Sequence, residues 1–192
     1  MLVYRVFPYL PTAEPDESGG PMYLHRPQGR GRLDNPADYD TWYFGITPET
    51  AVGEAFGDLA VWREEMFEFP SLPGARRALG VFEIPDEVAV LDLDDARNLL
   101  DRGLRPTQVV ARNRPTTQAW ALRIFNETDP DGSRRWAGVR WWSFQRPHWT
   151  VIALWVPRAS APIHTCLRVD TLTIDHPAVE DAARSLGKRR LP

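Results

Sequence analysis

Three side chains of different chemistry lie within one short run of this chain, Gly29–Gly57, which reads GRGRLDNPADYDTWYFGITPETAVGEAFG. Arg30 and Arg32 alternate with Gly29 and Gly31, Tyr43 sits in an aromatic segment, and Glu54 stands in the segment that follows. Glycine lets a backbone approach a ligand closely, and the guanidinium fork matches the oxygens of a phosphate or carboxylate. An aromatic face attracts a cationic ring, and a carboxylate stabilises a positive charge as it develops. Together these groups suit a substrate with an anionic end and a centre that turns cationic. Singly, each has a plainer explanation. Gly-Arg turns are common solvated loops, and the spacing matches neither the GxGxxG fingerprint nor a Walker loop.

The elements around these residues decide whether they meet. Thr41–Ile46, TWYFGI, has strand composition, and Thr47 followed by Pro48 supplies an N-cap with proline at the first helical position. Ala51, Val52, Ala55, Phe56 and Leu59 then form one apolar stripe. Glu54 lies beside that stripe, where it either faces a cleft at the helix edge or stands as an exposed helix carboxylate. Glu49 is explained as favourable first-turn charge. Leu2–Phe7 predicts a first strand closed by Pro8, and Arg5 inside it needs an ion-pair partner, an exposed edge or a ligand. Gly138–Ser143 and Thr150–Val156 predict strands flanking a loop with Pro147. Ser143, at the end of the first, is a turn residue or a hydroxyl reaching into a pocket.

Elsewhere, Phe67–Ala78 with Pro70, Pro73 and Gly74 predicts an irregular connection, with regular structure resuming near Leu79. Val81–Ile84 and Val88–Leu93 predict strands, and Asp94 or Asp95 caps a helix ending near Gly103. Pro115–Asn126 predicts a helix capped by Thr116 or Thr117. Leu167–Ile174 closes the strands, Pro177–Leu186 makes a last helix, and Lys188, Arg189 and Arg190 read as a solvated tail. The expected fold class is α+β.

The totals narrow the function. A chain of 192 residues fits one domain, and 43% hydrophobic with 26% charged residues is ordinary globular composition. A net charge of -3 argues against direct nucleic-acid binding through a broad phosphate-neutralising surface. Cys166 is the single cysteine, so no intramolecular disulfide forms and the cytoplasm is the expected compartment. No apolar run approaches the roughly 18 residues that span a bilayer, so no membrane association is expected. His25, His148, His164 and His176 lack metal-ligand spacing, and capping explains Asp92, Asp94 and Asp95; no metal is expected.

Several separated segments together resemble the RES domain family. They are YRVF at Tyr4–Phe7, GRLDNP at Gly31–Pro36, WYFGITPETAVGEAF at Trp42–Phe56, TQAWALRIF at Thr117–Phe125 and GVRWWS at Gly138–Ser143, in the family's order. The resemblance implies one RES domain over residues 1–192, with an ADP-ribosyltransferase-like core of mixed or antiparallel sheet flanked by helices. It implies an NAD-degrading enzyme, the toxin of a bacterial toxin–antitoxin system, with NAD as substrate and water or phosphate as acceptor. Transfer of ADP-ribose to a macromolecule and a catalytically silent partner-binding module are its alternatives. It maps the family's arginines to Arg5 and Arg32, the strand tyrosine to Tyr43, the glutamate to Glu54 and the serine to Ser143. Arg5 and Arg32 would hold the diphosphate, Tyr43 would stack on nicotinamide, Glu54 would stabilise the ribose cation, and Ser143 would orient ribose or Glu54. The family's turn runs closer to Gly-Arg-Trp/Phe-Asn-Pro, whereas here Leu33 and Asp34 separate Arg32 from Asn35, which leaves Arg30 and Arg32 as alternatives. An Xre-like antitoxin is the implied protein partner, and a homo-oligomer stays open.

Overall fold

Strands and helices alternate along the chain in this computed structural model, which describes residues 1–191. Seven of them form one sheet in the order β5-β6-β7-β2-β1-β4-β8. These are β1 (Leu2–Tyr9), β2 (Tyr39–Gly45), β4 (Arg76–Glu83), β5 (Val90–Asp92), β6 (Gly138–Trp142), β7 (Thr150–Pro157) and β8 (Thr165–Thr171). Within this sheet β5 and β6 pair in parallel and the other neighbours are antiparallel. Helices α1 (Pro48–Phe56), α2 (Ala96–Asp101), α3 (Pro106–Val109), α4 (Arg114–Phe125) and α5 (Pro177–Leu186) flank it, which makes the fold α+β with a mixed sheet.

The sheet is two half-sheets with a weak seam. β2 pairs with β7 over its whole length and β1 with β4 over its whole length, yet β1 and β2 share a single residue pair, Tyr4 and Gly45. One core packs α4 with Trp120, Ile124 and Phe125 against Trp141, Val151 and Trp155. Another packs α1 and α5 through Val52, Phe56, Val179 and Ala182. Past Tyr4 the two strands diverge, and the edges they turn toward each other are left open.

Strand alternation tells which backbone groups face that gap. Met1 bonds Ile84 in both directions beside β4, so every second residue from Met1, Arg5 included, turns its peptide groups to β4, and Tyr4, Val6 and Pro8 turn theirs toward the seam. The strand therefore runs through Pro8 to Tyr9 instead of stopping at it, because the missing N–H falls on the unpaired edge. On the opposite strand the side-chain amide of Gln28 bonds both the N–H and the C=O of Thr41 (2.7 and 2.8 Å), closing the far end of that edge.

Other boundaries moved as well. β4 begins at Arg76, inside the segment expected to be irregular, because Phe7, Pro8 and Tyr9 of β1 supply partners for it. The cap of α4 is Asn113, not Thr116 or Thr117: its Oδ1 accepts from Thr116 N (3.1 Å), and the helix starts at Arg114. Asp95 caps α2. The expected tail is structured: Arg189–Arg190 forms β9, parallel to β3 (Val61–Trp62), and Arg190 bonds Glu180 (2.8 Å) and the carbonyl of Ile174 (2.8 Å).

Candidate active site

The seam opens into a cavity of about 340 Å³ whose wall includes Arg5, Arg32, Tyr43, Glu54, Arg114 and Trp141. Each comes from a different stretch of chain, and each is positioned by its own local device.

Arg5 leaves β1 on the same face as Phe7 and lays its guanidinium over the ring of Trp42, 4.6 Å from the centroid. Among the described residues its Nη1 is buried with no hydrogen-bond partner. Burial pulls its pKa down to about 10, so it is still charged at neutral pH. A buried cation without an acid is costly, and a bound anion would supply what is missing.

Arg32 and Tyr43 are fixed by Asp34, which is 5% exposed. Its Oδ2 accepts the N–H groups of Gly29 (2.9 Å) and Gly31 (2.7 Å), and its Oδ1 accepts the hydroxyl of Tyr43 (2.8 Å). The Tyr43 oxygen in turn accepts the N–H of Leu33 (2.8 Å), so its polar end is fully engaged while its ring lines the cavity. Burial, reinforced by Asp34, holds the phenol well above its usual range and therefore neutral. A methyl group at Gly31 would sit 2.6 Å from the Tyr43 hydroxyl, which is why glycine belongs there.

Arg32 reaches across to α3, donating from Nη1 to the carbonyls of Val109 and Ala111 (both 3.1 Å). Burial first, and then neighbouring Arg114, lower its pKa, with Glu54 acting in the opposite sense. Arg30 does not line the cavity; its carbonyl accepts from Arg114 Nε (3.1 Å). Of the two alternatives in the turn, Arg32 is the one on the wall.

Arg114 is a residue that sequence reasoning missed. With Asn113 as cap, it occupies the first turn of α4 and turns toward the cavity, with Nη1 buried and unbonded among the described residues. The run Asn113-Arg114-Pro115, a capping residue two positions before a proline, is the signal that could have placed it.

Glu54 projects from α1 at the cavity mouth, reached by solvent on one side and surrounded by protein on the others. The ring of Trp149 packs so closely on Gly53 that any side chain there would overlap it, and this contact sets α1 against the loop after β6. From that loop Ser143, 1% exposed, donates its hydroxyl to Glu54 Oε1 and accepts N–H groups from Gln145 (2.9 Å) and Arg146 (3.3 Å). Ser143 thus stands behind Glu54 and not on the cavity wall. Burial raises the Glu54 pKa, the Ser143 hydrogen bond and then Arg32 oppose that rise, and Asp58 adds to it.

The structure therefore brings Arg5, Arg32, Tyr43 and Glu54 to one cavity and places Ser143 against Glu54. The wall carries three guanidiniums and one carboxylate, a net positive site for an anionic ligand with a cationic part near Glu54. Among the described residues no group of three or more His, Cys, Asp or Glu side chains is arranged to hold a metal ion, and no helix is long and apolar enough to cross a membrane.

These features define an α+β domain with an arginine-rich small-molecule cavity in the seam of a split sheet. The chain belongs to the RES domain family, whose model matches residues 2–175. No curated protein matches the sequence. Among solved structures the fold is similar to a chain of the crystal structure of the M. tuberculosis MbcT–MbcA toxin–antitoxin complex, with 13% identity and a TM-score of 0.58, covering 97% of this chain and 89% of that one.

Proposed function

We propose that this protein consumes NAD, breaking the bond between nicotinamide and ribose with water or phosphate as acceptor. The observation that carries the proposal is the gathering around one cavity of Glu54, hydrogen-bonded from behind by Ser143, with Arg5, Arg32 and Arg114. NAD has the matching polarity, with a cationic nicotinamide riboside at one end and a diphosphate at its middle.

Bond cleavage sends both electrons of the C–N bond to the nicotinamide nitrogen, which leaves neutral, so no acid is needed for the leaving group. The positive charge passes to the ribose. Ionised Glu54 stabilises that oxocarbenium character. Ser143 is a positioning residue that keeps one carboxylate oxygen fixed. The arginines hold the diphosphate so that the ribose carbon stays beside Glu54, and the Tyr43 ring flanks the nicotinamide. Water or phosphate then adds at the same carbon, releasing a proton in the case of water.

Membership of the RES family and likeness to a toxin–antitoxin structure support a cellular role as the toxin of such a system, acting in the cytoplasm and restrained by an antitoxin protein. Incubating the purified protein with NAD, with and without phosphate, should release nicotinamide; no release in either case would refute the activity.

A further inference from the structure

The seven-stranded sheet ends at β8, which pairs with β4 on one side and, among the described residues, with no strand on the other. The strands inside it fix which of its peptide groups face outward. Gly80 of β4 turns its groups to Arg5 of β1, so Leu79 and Val81 turn theirs to Asp170 and Arg168 of β8, and Val169 between these two points its N–H and C=O away from the sheet. Among the described residues no hydrogen bond occupies those two groups. The pairing shifts register between Val81 and Phe82, so the stretch 168–171 runs regularly against 78–81. This edge is seven residues long, TCLRVDT, and carries neither proline nor lysine, the residues that commonly guard an open strand. The opposite edge, β5, is only three residues long.

We infer that the β8 edge joins a second copy of this chain, β8 against β8, antiparallel about a two-fold axis at Val169. Charge complementarity selects both that occupant and that register. With the axis at Val169, the two copies of this residue exchange both backbone hydrogen bonds, and Arg168 of each copy falls opposite Asp170 of the other in the closely spaced, non-hydrogen-bonded pairs. Arg168 and Asp170 share one face and are already bridged within the chain, with Nε 3.1 Å from both carboxylate oxygens, so the dimer sets cations and anions in alternation around the axis. Val169 packs on the core of Phe44 and Phe82, which holds the strand straight for pairing. Leu167, exposed in the single chain, comes beside Thr171 of the second copy. The contact closes on itself and gives a dimer, not a filament. It leaves the active-site cavity free: Arg168 and Asp170 do not line it, and β4 and β1 separate β8 from β2.

Sedimentation velocity over a concentration series, on the whole chain, tests the register directly. The wild type should dimerise. Arg168→Asp leaves only carboxylates at these positions and Asp170→Arg only guanidiniums, so each variant alone should dimerise at least about tenfold more weakly. An equimolar mixture of the two variants restores every opposite-charge pair and should dimerise as the wild type does, which no defect in the single chains would produce. Val169→Pro removes the outward N–H without altering charge, at an edge position where proline is tolerated, and should also weaken the dimer. Should a charge variant fail to fold, the exchanged chain carrying both Arg168→Asp and Asp170→Arg decides instead: it should dimerise with itself and not with the wild type. A wild type that stays monomeric throughout leaves the edge to some other strand and overturns the assignment. Dimers indifferent to these substitutions, a mixture no more associated than its components, or an exchanged chain that pairs freely with the wild type would overturn it too.

Discussion

Ser143 gives its only hydroxyl hydrogen to Glu54, and its oxygen is already occupied by the N–H groups of Gln145 and Arg146. The hydroxyl cannot rotate away without breaking three contacts, so the carboxylate it serves is held in one orientation at the cavity mouth. That bond also favours the ionised form of Glu54, which burial disfavours.

Removing the hydroxyl should move the pH dependence of catalysis. In Ser143→Ala the Glu54 pKa rises further, so a higher pH is needed to ionise it and the acid limb of the kcat profile shifts upward. The plateau rate should fall roughly 10- to 100-fold, the worth of one hydrogen bond to a charged group. A lower rate with an unmoved acid limb would show that Ser143 acts without tuning Glu54.

Glu54→Gln should uncouple activity from stability. Turnover should drop by at least about 100-fold with NAD affinity largely kept, because the charge is needed chiefly as the ribose cation forms. The raised pKa means that the folded protein holds this proton more tightly than the unfolded chain does. Its stability is therefore diminished as pH rises through the folded pKa, and the deficit vanishes below the ordinary carboxylate value. Melting temperatures of the variant should match or exceed wild type at neutral pH and converge with it in acid; a variant less stable at neutral pH contradicts this.

Arg5 makes the same separation from the opposite charge. Arg5→Met keeps the stem and removes a buried, unpartnered cation, so it should melt at or above the wild-type temperature at neutral pH, where the lowered pKa of about 10 still leaves the native residue charged. NAD affinity should fall roughly 10-fold or more. Arg32→Ala should weaken NAD binding and also destabilise the fold, because the carbonyls of Val109 and Ala111 lose a shared donor. Calorimetric binding and thermal melts on both variants check the contrast; Arg5→Met losing stability while Arg32→Ala keeps it would reverse these roles.

Much of this site was legible because its residues sit at positions that local rules define. Thr47-Pro48 announces α1, and the apolar stripe places Glu54 beside the buried face. TWYFGI has strand composition whatever its neighbours, and Ser143 falls where a strand meets a proline-containing loop. What stayed hidden depends on contacts between distant segments. Asp34 looked like an interruption of the family's turn, yet it ties that turn to Tyr43. Asn113, Thr116 and Thr117 are all acceptable caps, and only packing against the Gly29–Arg32 turn selects Asn113 and with it the direction of Arg114. The C-terminal arginines carry no strand pattern, and β9 exists because Trp62 and Glu180 offer them partners. The seam itself is a matter of register between β1 and β2, on which composition is silent.

A buried histidine outside the site should give the fold its own acid sensitivity. His164 is 1% exposed, enclosed by Trp42, Phe44 and Phe82 at centroid distances of 4.4, 5.0 and 5.7 Å, with neither ring nitrogen bonded among the described residues. Burial and then Arg5 push its pKa down to about 4. The unfolded chain takes up this proton near pH 6.5, well before the folded one does, so stability should fall as pH drops from about 6.5 to about 4, by up to roughly 3 kcal/mol. His164→Leu should flatten that part of the curve in urea titrations across this range, whereas an unchanged slope would assign the acid sensitivity to other groups.

The most direct measurement is the identification of products when NAD is incubated with wild type and with Glu54→Gln, in the presence and absence of phosphate. The account predicts nicotinamide from the wild type in equimolar amount with ADP-ribose or its 1-phosphate, and a rate reduced at least about 100-fold in the variant. NAD left intact by a folded wild-type protein, or consumed equally fast without the Glu54 carboxylate, would contradict it.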